Sequence, residues 1–382
     1  MVRLDLDRLR TLAKQRKRTT GGTLAAAQLA IAREHGQQSW RALVDHVRTA
    51  RTAPRAEISE ERVAAFLRDV GGGNLDAVRA ALAQTPALVN AVGPHPFWGG
   101  RLQSLHVAIE TNRQPMIQLL LRAGANVDGD NADYEHWSPL LIALNDPKRA
   151  ASRRALVRRG VTIGLVEALA MGDDVRVARL LRRGRAALPA IVPSGGSVMA
   201  FARTRFAIDR LLALGVSADA KDRWNTSPIE AIAKRGPRAA PLVRYLATKG
   251  VAVAPETLAQ IGDRTSLAKL PPETLASASV IEAAVRARHV QLASWLLDRG
   301  ASPQARANWG SKGTLLHAAA WNGDTAMVDL LLERGADPTA LDEEHRTTPA
   351  EWADVSLGVT NNPECAAIAQ RLRRDLEIRT RR

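Results

Sequence analysis

Eight histidines, one cysteine and a few acidic pairs are the residues that could perform chemistry in this chain. The histidines form no H-E-x-x-H sequence and no pair at the close spacing of a zinc site. Cys365 stands alone, which excludes an internal disulfide and any site built from several cysteines. The segment 310–314 has the composition of a phosphate-binding loop but lacks the G-K-[ST] order. We therefore expect no catalytic site, no metal, no cofactor and no enzymatic activity.

The aromatic residues point instead to binding. They make up only 4% of the 382 residues, yet eight of the fourteen are Trp. Trp, Tyr and Arg dominate protein-binding hot spots, because they bury a large area at a small cost in entropy. Where these residues lie along the chain therefore matters for function.

The formal charge of +15 is concentrated in three segments, 1–55, 146–185 and 371–382. The rest of the chain is slightly acidic, and 46 of the 54 cations are Arg. An Arg bias of this kind is also what a GC-rich coding sequence produces. No apolar run is long enough to span a bilayer, and no signal peptide is evident, so we expect no membrane partner and a cytoplasmic location.

An internal repeat must position these residues. The strings TLLHAAAWNGD at 314–324 and MVDLLLERGADP at 327–338 have an earlier copy in SLHVA at 104–108 and MIQLLLRAGANV at 116–127. Weaker copies end on a glycine, with a period near 33 residues. The terminal glycines of all copies lie at positions 124, 160, 184, 215, 250, 300 and 335.

These strings resemble the ankyrin-repeat family, whose unit carries a T-P-L-H-x-A turn and an L-L-x-x-G-A-[DN] ending. The resemblance implies an all-α repeat solenoid of stacked helix-turn-helix units with protruding hairpin loops, called fingers below. It also implies that His106 and His317 hydrogen-bond the backbone of adjoining turns. The array is expected over 62–375, with a degenerate unit near 255–275 where prolines interrupt the pattern.

The remaining segments flank this array. Residues 1–50 predict a helical N-terminal leader, 51–61 a linker and 376–382 a basic C-terminal tail. The string at 24–40 is similar to the leader that precedes ankyrin arrays in many bacterial proteins. That similarity suggests a bacterial origin.

Four tryptophans share one place in the repeat, one to five residues before a predicted helix start. In an ankyrin-like unit this place is the finger. Each Trp either packs against the next finger and stiffens the array, or is exposed to contact a partner, and the sequence leaves both interpretations open. The candidate finger residues are Phe97, Trp98, Arg101, Tyr134, Trp137, Arg223, Trp224 and Trp309.

A second candidate set comes from aligning the repeats on their central glycine. One position near the end of the first helix then holds a different residue in each copy and is expected to face the concave groove. Its occupants, Glu110, Lys234, Arg286 and Trp321, are either tuned to a partner or simply solvated.

The prediction for function is a non-catalytic protein-protein interaction scaffold, a monomer that binds a partner protein, possibly acidic, through fingers and groove. The alternative is a nucleic-acid-associated regulator. It would use the basic N-terminal helices and an Arg-rich outer strip. No aromatic stacking residue lies in that strip, which predicts a solvated face rather than a nucleic-acid site. The strip comprises Arg149, Arg153, Arg154, Arg158, Arg159, Arg176, Arg179, Arg182 and Arg183.

Overall fold

The computed structural model describes residues 13, 17, 23–34, 38–45, 58–130, 133–307 and 312–380, with side chains described as far as residue 374. Near the N-terminus, helix α1 (Leu24–Glu34) and a helical segment at 40–45 share a small buried cluster that includes Ile31 and Leu43. Much of the predicted leader and linker lies outside the described residues, so the domain boundaries stay predictions.

From residue 60 onward the chain forms consecutive helix pairs, numbered here as units I to X. Units I to V contain α2 (Glu60–Gly72) and α3 (Leu75–Gln84); α4 (Ser104–Glu110) and α5 (Gln114–Arg122); α6 (Pro139–Asn145) and α7 (Ala150–Arg158); α8 (Leu165–Met171) and α9 (Asp174–Leu180); and a 3₁₀ turn (Val198–Phe201) followed by α10 (Arg205–Ala213). The first helix of each pair is called inner and the second outer.

Units VI to X continue the same order. They contain α11 (Pro228–Ala233) and α12 (Ala240–Thr248); α13 (Pro255–Gln260) and α14 (Arg264–Leu267), followed by α15 (Pro272–Leu275); α16 (Ala278–Arg286) and α17 (Val290–Leu297); α18 (Leu315–Asn322) and α19 (Thr325–Glu333); and α20 (Pro349–Thr360) and α21 (Glu364–Thr380). The predicted fold class, an all-α repeat solenoid, is confirmed.

The remaining regular elements are short. The strands β1 (Gly93–Pro94) and β2 (Arg101–Leu102) pair antiparallel between units I and II. Further 3₁₀ turns connect helices at Pro86–Asn90, Pro147–Arg149, Leu181–Ala187, Pro193–Gly195 and Gly236–Ala239. In the part of the chain that the structure describes, no helix is long and apolar enough to cross a membrane.

Local sequence signals explain where the helices begin and end. Ser138, Ser227 and Thr348 each precede a proline at the first helical position, and each hydroxyl accepts a backbone N–H three residues on. Gly124 and Gly335 end their units at φ values of 89° and 87°, a left-handed conformation that favours glycine. These are the roles that the repeat pattern predicts for both residue types.

The buried apolar side chains of the array fall into two clusters, one over residues 63–261 and the other over 259–372. The boundary lies in unit VII, the predicted degenerate unit, where α14 has only four residues. A single helical turn offers too little apolar surface to carry the core continuously across the unit. Polar side chains, Thr257, Asp263 and Glu282, are buried near this junction.

Unit V departs from the pattern in a way that shapes the groove. Its inner position holds only the 3₁₀ turn Val198–Phe201, which packs against α8 on one side and α11 on the other. A four-residue turn fills less space than the six- or seven-residue helices beside it. A concavity therefore opens at this point of the inner surface.

Arginine side chains join different units by donating to carbonyls at or next to the ends of inner elements. Arg149 donates to the Glu110 carbonyl at 2.8 Å, Arg203 to Leu144 at 2.7 Å and Arg235 to both Ala202 and Ala200. The last carbonyls of a helix lack internal partners and carry the negative end of its dipole. A guanidinium satisfies them and is itself stabilised.

This bonding interrupts the predicted Arg-rich outer strip. Arg149 donates to carbonyls of inner helices, and Arg159 donates to the Leu121 carbonyl at 3.0 Å. Arg176 forms an ion pair with Asp173 at 3.2 Å. Arg159 is nevertheless exposed, as are the other six arginines of the strip. Arg149 and Arg176 are only partly exposed, so the strip is not fully solvated at these two positions.

Arg113 brings the two ends of the array together. Its Nε donates to the Gly71 carbonyl of α2 at 2.8 Å, and its terminal nitrogen donates to the Gly358 carbonyl of α20 at 3.0 Å. Units I and X thus meet, although 245 residues separate Arg113 from Gly358.

We expect Arg113→Ala to destabilise the array by about 2 kcal/mol, because two carbonyls lose a charged donor. Urea unfolding followed by circular dichroism would give the size of the effect. Hydrogen exchange should rise in both α2 and α20. Arg122→Ala, an exposed arginine on α5, is the control and should leave both helices unchanged. Unaltered exchange in α20 after Arg113→Ala would contradict the end-to-end contact.

Candidate partner-binding site

The first finger is the hairpin of β1 and β2, and its tip presents two aromatic rings. Phe97 is 39% exposed and Trp98 is 44% exposed. Buried His95 fixes the tip, because its Nδ1 accepts the backbone N–H groups of Phe97 and Trp98 at 3.1 and 3.2 Å. Its Nε2 therefore carries the proton and donates to Glu110 at 2.8 Å.

Glu110 is the hub that connects the first finger to the second. Its other carboxylate oxygen accepts the Tyr134 hydroxyl at 2.5 Å, and that hydroxyl accepts the Trp98 indole N–H at 3.3 Å. Burial of Tyr134, reinforced by the negative charge of Glu110, raises the pKa of the hydroxyl. A proton is thus held between the two fingers.

The second finger turns through two consecutive left-handed residues, Glu135 (φ 51°) and His136 (φ 62°). Two-residue turns of this kind usually contain glycine or asparagine, so this backbone is strained. The Glu135 carboxylate compensates by accepting from Ser194 at 2.7 Å, Arg223 at 2.6 Å and Trp224 Nε1 at 3.4 Å. One side chain therefore holds two later parts of the chain, at Ser194 and at Arg223–Trp224.

We call the set of segments 93–102, 133–137, 191–196 and 222–226 the finger row. They surround a concavity of about 930 Å³ whose lining includes Trp98, Tyr134, Trp137, Arg223 and Trp224. Ile191, 59% exposed, and Trp224, 64% exposed, add apolar surface to that of the first finger. An exposed apolar patch held on a rigid frame is typical of a binding surface.

The individual tryptophans differ in their surroundings. Trp137 is half-buried, its ring 5.8 Å from that of Phe201, and it donates to Ser194 at 3.1 Å. Trp224 is covered mainly by the Arg223 guanidinium, 4.8 Å from its ring centre. Trp98 and Trp224 therefore present their rings outward, whereas Trp137 supports the frame. Trp309 lies outside the described residues.

Arg101 ties the first finger to unit I through an ion pair with Glu60. Gln103 and Asn90 strengthen the same connection, since the Gln103 amide donates to the Asn90 carbonyl at 2.7 Å. The exposed Arg101 guanidinium thus has an internal partner at the edge of the finger row.

The groove set is not brought together in one place. Lys234 and Arg286 line a second concavity of about 390 Å³ over units VI to VIII. Glu110 belongs to the finger network, and Trp321 packs edge-on against Trp352 with ring centres 6.0 Å apart. Only the two cations face open space in the groove.

Several residues of this surface escaped the sequence analysis. Glu135, Ile191 and Ser194 carry no repeat signature, because they lie in loops of irregular length. Asp222 does have a signal: a D-x-x-x-T-[ST]-P string, repeated with one extra residue at Asp342. Asp222 accepts the N–H groups of Trp224 and Thr226 and so shapes the finger.

The residues considered for chemistry have structural surroundings. His317 Nδ1 accepts the Thr314 N–H and its Nε2 donates to the Thr347 carbonyl, both at 3.0 Å, as the repeat resemblance implies. Cys365 is buried in α21. Among the described residues, no group of three or more His, Cys, Asp or Glu side chains could hold a metal ion.

Two segments of the chain match known families of ankyrin repeats. Residues 281–332 match "Ankyrin repeats (many copies)" and residues 104–132 match "Ankyrin repeat". These are the segments in which the sequence motifs are clearest. The matches support the ankyrin-repeat family, while a bacterial origin and the identity of the leader stay predictions.

Comparison with individual proteins adds two partial matches. A stretch of 68 residues is 48% identical to the Mus musculus protein "tRNA endonuclease ANKZF1", covering 18% of this chain and 9% of that protein. The human ASB11 ankyrin repeat domain is 17% identical, with 75% of this chain and 90% of that chain covered, at a TM-score of 0.24.

The Tyr134–Glu110 contact gives a prediction for alkaline pH. In a Tyr245→Phe background, Tyr134 should ionise above the ordinary pKa of about 10, measured by tyrosinate absorbance. Above pH 10 the folded state then binds more protons than the unfolded state, so stability should fall as pH rises. Glu110→Gln should lower the midpoint only in part, because burial is the larger cause. A midpoint at or below 10 would contradict the network.

Proposed function

We propose that this ankyrin-like solenoid is a non-catalytic scaffold that binds a partner protein through its finger row. The observation that carries the proposal is the exposure of Trp98 and Trp224 around one concavity, on a frame fixed by Glu110 and Glu135. Ankyrin repeats generally mediate protein-protein interactions, which agrees with this role.

The physical advantage of the site is preorganisation. Buried His95 and half-buried Asp222 accept backbone N–H groups of the segments 93–102 and 222–226, so little conformational entropy remains to be lost there on binding. Large rings that are already positioned can then contribute most of their apolar area to affinity. A surface of this kind suits a folded protein or a rigid exposed segment of one.

The nucleic-acid alternative receives less support. Three arginines of its outer strip, Arg149, Arg159 and Arg176, make contacts within the protein, and Arg149 and Arg176 are only partly exposed. Among the described residues, the exposed aromatic rings of Phe97, Trp98 and Trp224 lie on the finger row, and that of Phe206 lies on α10, beyond the last arginine of the strip. Nucleic-acid binding by stacking needs both together.

The proposal is tested with the double variant Trp98→Ala/Trp224→Ala, used as bait beside the wild type. Partners captured by the wild type and identified by mass spectrometry should bind the variant at least tenfold more weakly in a direct titration, because two anchors of the surface are removed. Trp137 is left in place since it packs against Phe201, and its loss would weaken the frame.

The matched control is Val175→Ala/Phe206→Ala, which removes exposed apolar side chains from outer helices. It should bind partners as the wild type does, and circular dichroism should show that both variants fold. If the finger variant folds and keeps the affinity of the wild type for every partner, the scaffold proposal is wrong.

A further inference from the structure

We infer that the concavity behind the finger row is a binding site for the carboxylate side chains of an acidic segment of the partner protein. The inference rests on the proposed scaffold function and deepens it, since it names the chemistry of the partner. The site, called the cationic pocket below, has a volume of about 500 Å³ and adjoins the finger row at Trp137 and Trp224.

The cationic pocket exists because unit V has no full inner helix. Its walls come from α6, α8 and α11, which stand around the short 3₁₀ turn Val198–Phe201. Apolar groups of Trp137, Leu141 and Phe201 line one part of it. The cations that line it are Arg203, Lys234 and Arg235, which lie at or just beyond the ends of the inner elements.

These three cations form no ion pair among the described residues, although the charges of Asp222 and Glu230 act on Lys234. Arg203 donates once, to the Leu144 carbonyl, and Arg235 donates to two carbonyls, so both guanidiniums keep further N–H groups. Lys234 has only a long contact of 3.4 Å to the Thr226 hydroxyl. No carboxylate oxygen of a described residue lies within 4 Å of any of the three charged groups.

Burial and mutual repulsion make the positive charge of the pocket costly. Burial, followed by the charge of Arg203, lowers the pKa of Arg235 to about 9. Burial also lowers the pKa of Arg203 and that of Lys234. At Lys234 the charge of Arg286 adds to the effect of burial, and the charges of Asp222 and Glu230 offset part of it. A negative group placed between them would relieve the repulsion and supply the missing ion pairs.

Two acidic side chains among the lining residues of the pocket favour a singly charged ligand group over a doubly charged one. Glu135 and Asp222 also line it, and they would repel a phosphate dianion more strongly than a carboxylate. Glu135 is neutralised by Arg223 at 2.6 Å, which leaves the entrance open to one negative charge. The charge distribution therefore fits Asp or Glu side chains.

The cations extend beyond the pocket along the groove. Lys234 also lines the adjoining concavity of about 390 Å³, together with Arg286 of α16. An extended peptide rises about 3.3 Å per residue, so carboxylates a few residues apart could reach both places. The occupant that fits is an extended acidic segment lying across units V to VIII.

A fluorescently labelled peptide of twelve glutamates is the probe, and a peptide of twelve glutamines is its uncharged counterpart. Fluorescence anisotropy at low salt should show binding of the first peptide only. Lys234→Gln should weaken it about fivefold, because one cation of a partly solvated cluster is lost. Lys234→Arg should retain most of the affinity. Lys269→Gln, which removes an exposed charge outside the pocket, should leave it unchanged.

The inference is overturned if the glutamate peptide does not bind, or if Lys234→Gln and Lys269→Gln weaken it equally, since either result leaves only general charge attraction. Competition by inorganic phosphate at lower concentration than by free glutamate would also overturn it in favour of a phosphate site. Partners lost by Trp98→Ala/Trp224→Ala but kept by Lys234→Gln would leave the scaffold standing and refute the acidic segment. The reverse result would refute the finger row as anchor.

Discussion

Stacking in this solenoid depends on arginines that donate to the carbonyl ends of neighbouring helices. The inner helices α4, α6 and α8 have only seven residues each, so more than half of their carbonyls lack an internal partner. Arg149 satisfies the Glu110 carbonyl of α4 and Arg203 satisfies the Leu144 carbonyl of α6, each from a later unit of the chain. Apolar packing alone would bury the helix faces but leave the carbonyls at the helix ends without hydrogen-bond donors. The guanidiniums supply those donors and so remove the free-energy cost of burying unpaired carbonyls.

The fingers use the opposite charge for the same purpose. Glu110 and Glu135 are acceptors placed between hairpins, and each collects donors from segments that belong to different units. Inner-helix ends are thus joined by cations and finger bases by anions, and both signs line the cationic pocket, where Glu135 and Asp222 accompany Arg203 and Lys234. The rings of Trp98 and Trp224 line the concavity of the finger row, which adjoins that pocket. A single groove therefore offers an apolar and a cationic region next to each other.

The fold could be predicted from the sequence because the same residue types recur once in each repeat. Serine or threonine followed by proline recurs at helix starts, and glycine recurs at helix ends, where the backbone chemistry of these residues is favoured. The place of Trp98, Trp137 and Trp224 on fingers followed from the same register. The repeat register does not predict which side chains of different units contact each other. The capture of Glu110 by Tyr134, or the shortening of unit V, depends on contacts between segments of irregular length, and no periodicity encodes those.

The contact of Arg113 with Gly358 changes what kind of object the array is. An open solenoid behaves as a spring, since its curvature can relax and its end units fray one at a time. Here Arg113 joins the first and last units, so the curvature of the array is restrained by a contact between its ends. A partner that fits as the groove stands meets no resistance. A partner that requires a wider groove must first break the contact between Arg113 and Gly358. The binding free energy of that partner is reduced by the free energy of breaking the contact.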